Sequence, residues 1–145
     1  MAKTTFTATF GDQTFTRKSD RTYTHAVSCK RNYAAAIAYA STQDKFDAKN
    51  HAYYCKKVAT NDFYSWENEE CKDRARKAAA VTCEEFCQQQ IARRVADVDA
   101  RKARGEYDNF LRPTFHSTLA LAQKEAAKDR AAGRLQVTIA EVTSN

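Results

Sequence analysis

The chain has 145 residues, with 24 Lys/Arg against 18 Asp/Glu (net charge +6), and only three Gly and one Pro. That length suits a single domain over residues 1–145, able to bury a core without disulfides, and no run of about 18 apolar residues exists to span a membrane. The start Met1-Ala2-Lys3-Thr4 is polar and lacks the apolar stretch of a signal peptide, so the cytoplasm is the expected compartment.

Thr5, Thr7 and Thr9 alternate with Phe6, Ala8 and Phe10, the period of a strand with one packed and one wet face. Gly11-Asp12 supplies a turn, Thr14–Arg17 resumes the alternation, and Lys18-Ser19-Asp20 turns again. Arg21–Cys29 is a third run, with Tyr23, His25, Val27 and Cys29 on one side. Residues 1–31 therefore read as a three-stranded antiparallel meander. Its wet face and turns carry Arg17, Lys18, Arg21, Lys30 and Arg31, a cationic platform for binding rather than catalysis. Tyr23 and His25, two apart on a strand, can bind phosphate or move a proton; the plainer expectation is a half-buried imidazole bonded to a neighbouring Thr.

Residues 32–132 read as helical. Ala34–Ala40 is strongly helix-forming, Ser41-Thr42 interrupts it, Phe46–Val58 is helical again, and Thr60-Asn61-Asp62 is a loop with Asp62 or Ser65 as the next cap. A long helix from about Trp66 to Arg104 follows, stopped by Gly105. Thr82 and Glu85 match a capping box, which marks a break point near Val81-Thr82. Cys83, Cys87, Ile91, Val95 and Val98 form its apolar stripe, with Arg93, Arg94, Arg101 and Arg104 away from the stripe's centre. A single stripe on so long a helix also suits a homodimer. After an aromatic connection around Pro113, Thr114 or Ser117 caps a short helix ending at Gly133, with Leu119, Ala122 and Ala126 inward. Residues 134–142 form a last strand. The expected fold is α+β: one antiparallel sheet of three N-terminal strands plus the C-terminal one, packed against a long helical hairpin and a short helix.

The charge is uneven. Residues 1–31 hold six Lys/Arg against Asp12 and Asp20, a net of +4, and residues 72–104 hold nine against five acids, again +4. A negatively charged partner, nucleic acid or an acidic protein surface, is the physical implication; the bland alternative is a solvated helix face and a soluble hairpin. Five cysteines, an odd number, argue against a disulfide framework. His51, Cys55, Cys71, Cys83 and Cys87 are the candidate zinc ligands. A plain helical hairpin sets Cys71, rather than Cys83 and Cys87, beside His51 and Cys55, so buried core cysteines are the first expectation. No cofactor is expected, and no catalytic motif of recognisable spacing occurs.

The segment Thr14–Val27, TFTRKSDRTYTHAV, resembles an N-terminal hairpin stretch of small phage and mobile-element accessory proteins, through Arg17, Ser19, Arg21, Tyr23, Thr24, His25, Ala26 and Val27. With the small size and the absence of a catalytic motif, the likeness extends to anti-CRISPR proteins as a type. It implies a non-enzymatic inhibitor of a host nucleic-acid-handling complex, acting in the host cytoplasm; on the cationic hairpin, Arg17, Lys18, Arg21, Tyr23 and His25 are the expected contacts, with Lys30 and Arg31 as electrostatic support. A direct DNA- or RNA-binding module is the alternative, and a zinc-supported or hydrolytic protein the third.

Overall fold

Thr4–Phe10 (β1) and Gln13–Ser19 (β2) form the expected hairpin, antiparallel from Thr4↔Ser19 to Phe10↔Gln13, in a computed structural model that describes residues 2–42 and 44–145. Gly11 takes a positive φ of 59° at the first turn position, where a side chain is disfavoured. Phe6, Ala8 and Phe10 point inward and are buried, as the alternation requires.

The expected single sheet is corrected to two sheets of three strands, ordered β2-β1-β6 and β4-β3-β5. The third run does not complete a meander. After Ser19 the chain bends away, and β3 (His25–Lys30) becomes the centre of the second sheet, between β4 (Thr114–His116) and β5 (Leu135–Glu141). The reason lies in the strand itself. Ala26, Val27, Ser28 and Cys29 are all buried, so both faces need cover, which an outer strand of a one-sided meander cannot have. Ala26 packs with Ala8 and Phe10, ringed by Phe15, Phe110, Phe115, Ala140 and Val142. Val27, on the opposite face, packs against Ala122 and Ala126 of α5 (Leu119–Ala131), with Val137 and Ile139 beside them. The layers are thus sheet, sheet and helix. The C-terminal segment serves both sheets, β5 pairing with β3 and the short β6 (Thr143–Ser144) with β1.

These elements form one compact unit, residues 1–35 and 100–145; residues 36–99 form a second. The chain passes between them within α1 (Tyr33–Ser41) and α4 (Cys83–Ala103). The second unit also holds α2 (Asp47–Thr60) and α3 (Glu69–Ala79), which pack on each other. The helix expected over 66–104 is two helices. Its break is at the capping box, where Thr82 Oγ1 accepts the Glu85 N–H (3.1 Å) and Glu85 accepts the Thr82 N–H (3.4 Å). Gly105 follows the end of α4 with φ 81°. Asn68, not Asp62 or Ser65, caps α3, its Oδ1 accepting the Cys71 N–H at 3.0 Å. Thr118 caps α5, because Thr114 is taken into β4. On α4, Phe86 and Cys87 are buried while Cys83 is exposed. Arg94 reaches Asp47 with both terminal nitrogens (3.1 and 3.0 Å) and the Thr42 carbonyl at 3.2 Å, tying the end of α1 and the start of α2 to the middle of α4. Among the described residues no helix is long and apolar enough to cross a membrane.

Candidate functional site

Successive residues of a strand face opposite ways, so Arg17 and Lys18 do not share a face of β2. Arg17 lies with Phe15 on the inner side, and its guanidinium carbon stands 4.8 Å from the Tyr23 ring centroid. Tyr23 is buried and held edge-on by Phe6 (5.2 Å, 81°) and against Phe115 (5.8 Å). Its hydroxyl accepts from Ser19 Oγ at 3.5 Å, and the same Ser19 oxygen accepts the Arg21 N–H at 3.0 Å. Arg17, Lys18 and Arg21 are exposed and form no ion pair with a described residue. The aromatic and hydroxyl contacts therefore stiffen this end of the hairpin while leaving three positive charges open to a partner.

Lys30 and Arg31 lie elsewhere. The Lys30 ammonium sits 4.9 Å from the Phe110 centroid, and Phe110 packs on Phe10. Phe6 and Phe10 are four residues apart on β1, about 13 Å at the rise of a strand, so the Tyr23 and Phe110 ends are well separated. Arg31 pairs with Glu106 at 3.8 Å. The five cations form a cluster of three at the Ser19 end, with two more engaged at the other end of the strands.

His25 matches the plainer expectation. Thr24 Oγ1 lies 2.8 Å from its Nδ1 and donates its own proton to the Ser117 carbonyl (3.1 Å), so the imidazole Nδ1–H donates to the hydroxyl. In register, His25 stands between His116 and Glu141. No local pattern in the sequence marks that row, because its members lie far apart in the chain and meet only through strand pairing.

The cysteine candidates form pairs, His51 with Cys55 and Cys83 with Cys87, rather than one site. His51 spends its Nε2–H on the Val81 carbonyl (2.9 Å), with Cys55 Sγ 3.6 Å from that nitrogen. Cys83 is exposed, Cys55 and Cys71 half-buried, Cys87 and Cys29 buried, and none of the five forms a disulfide. Burial, then hydrogen bonding to Cys83, pushes the Cys87 thiol up; burial, then the charge of Asp129, does the same to Cys29. No group of three or more His, Cys, Asp or Glu side chains able to hold a metal is present among the described residues.

A feature absent from the sequence reading is an occupied aromatic box. The Lys57 ammonium is bonded to Glu67 and to the Tyr53 hydroxyl (3.1 Å), with the rings of Tyr53, Phe63 and Tyr64 4.9–5.5 Å away. Comparison with known proteins finds no protein family, curated protein or solved structure that matches the chain.

Proposed function

We propose that this is a non-enzymatic binding protein of the small phage or mobile-element accessory type. It docks the cationic end of its β1–β2 hairpin on a host nucleic-acid-handling complex of the CRISPR-like defence class and blocks it, in the host cytoplasm. The observation that supports this reading is the trio Arg17, Lys18 and Arg21, exposed and unpaired by any described carboxylate, on a backbone stiffened by Tyr23 and Ser19. Charges held in this way lose little conformational freedom on docking, and their field speeds encounter with an acidic surface or with bound nucleic acid. The type of partner comes from the resemblance of residues 14–27, and the chemistry comes from the trio.

The test is capture from host lysate by the tagged protein, with R17E/R21E as comparison. A defined complex held by the wild type and lost by the double variant, with circular dichroism unchanged, is expected. Equal capture by both proteins would contradict the reading. The direct nucleic-acid reading is favoured by a separate observation, a basic groove in the helical unit.

A further inference from the structure

Helices α2, α3 and α4 of the second unit enclose an open groove of about 530 Å³, a size that suits a small ligand. One face of each helix lines it: Asn50 and Tyr54 of α2, Arg74 and Lys77 of α3, and Phe86, Gln89, Gln90 and Arg93 of α4. The spacings i, i+3, i+4 and i+7 put each set on a single helix face. Three of the lining side chains are cationic and none is acidic. Arg74 pairs at 3.8 Å with Glu70, which lies outside the lining; Lys77 and Arg93 are exposed and form no ion pair with a described residue.

The floor is firm. Tyr54 meets Phe86 edge-on at 6.1 Å, and Phe86 is buried and also packs on His51 at 5.3 Å. The His51–Val81 hydrogen bond and the Thr82–Glu85 capping box fix the α3–α4 joint that forms one wall. Cations, side-chain amides and a half-exposed aromatic ring thus converge on one concave surface.

We infer that this groove is a binding site for nucleotide units, the phosphate held by Arg93 and Lys77 and the base set against Tyr54 with Gln89, Gln90 and Asn50 able to bond its edge. A guanidinium fork matches a phosphate geometrically. An aromatic face accepts any base, which favours single-stranded nucleic acid over an acidic peptide, for which the ring and the amides would have no counterpart. The site is independent of the hairpin trio, which lies in the other unit.

The test titrates a short fluorescein-labelled oligothymidylate into the full chain by anisotropy. Expected are saturable binding, a loss of at least about tenfold in K77Q/R93Q, and a salt slope shallower by about 1.4, for two phosphate contacts at about 0.7 each. R17E/R21E should keep this loss and slope, so failure of the hairpin reading and failure of this one are separable. Competition by thymidine monophosphate would assign the site to free nucleotides, and competition by oligonucleotide alone to strands; both support the shared chemistry. No binding, no effect of K77Q/R93Q on affinity or slope, or equal competition by polyglutamate would overturn it.

Discussion

In the sheet-bearing unit Phe6, Ala8, Phe10, Ala26 and Val27 are buried to within a few per cent, whereas in the helical unit the charged Asp47 and Lys57 are buried beside Ala40, Ala75, Phe86 and Cys87. The first is a hydrophobic core assembled from both ends of the chain. The second is a set of helices tied by charges, Arg94 of α4 to Asp47 at the start of α2 and Lys57 near the end of α2 to Glu67. Apolar burial is non-directional and tolerant of small shifts, while a covered ion pair is worth having only in one geometry, and losing one partner leaves the other uncompensated. The difference teaches where each unit is vulnerable: the first to lost volume, the second to lost charge.

Phe10→Ala should break the first kind of unit most severely. It removes a ring that meets Phe15 and Phe110 at 6.2 and 5.6 Å and leaves a cavity in the main cluster, a loss of about 3–5 kcal/mol read by denaturant unfolding. A loss of a few tenths would mean that the two sheets pack independently of that ring.

In the helical unit, Arg94→Ala should cost about 1–3 kcal/mol, because Asp47 is left covered without its fork and the Thr42 carbonyl loses a donor. Arg94→Lys should recover only part of this, since an ammonium lacks the planar fork that meets both carboxylate oxygens and the Thr42 carbonyl together. Full rescue by lysine would show that the charge alone matters.

A smaller effect sharpens the contrast through pH. The hydrogen bond from Lys57 holds Glu67 below the usual carboxylate range, and the same bond holds Lys57 above the usual lysine range. A depressed acid contributes stability above its unfolded pKa and loses it as pH falls through its folded value; a raised base contributes below its unfolded pKa and loses it as pH rises through its folded value. The pair therefore supports the helical unit across neutral pH and fails below about 4.3 and above about 10.4, the ordinary Glu and Lys values. Glu67→Gln should lower the urea midpoint at neutral pH and flatten its acid limb, followed by circular dichroism. An unchanged acid limb would assign it to other carboxylates.

Much of this architecture was legible locally. The Thr–apolar alternation of β1, the Gly11 turn, the Ala-rich α1, the Thr82/Glu85 box and the Gly105 stop all became what their patterns imply. What was not legible depends on long-range pairing. The departure of β3 from the hairpin follows from burial on both faces, supplied by β4, β5 and α5, and β4 itself is three residues beside Pro113 with no strand period to read. The same holds for the site. The basic residues of the hairpin were visible, but Arg17 and Lys18 face opposite ways, Lys30 is drawn to Phe110, and Arg31 to Glu106. The groove was hidden because Tyr54, Lys77 and Arg93 converge only when three helices fold together.

The most direct measurement is lysate capture by wild type, R17E/R21E and K77Q/R93Q side by side, each with and without nuclease. The account predicts a defined protein complex that survives nuclease with the wild type and with K77Q/R93Q and is lost with R17E/R21E. The same complex held undiminished by R17E/R21E would contradict it.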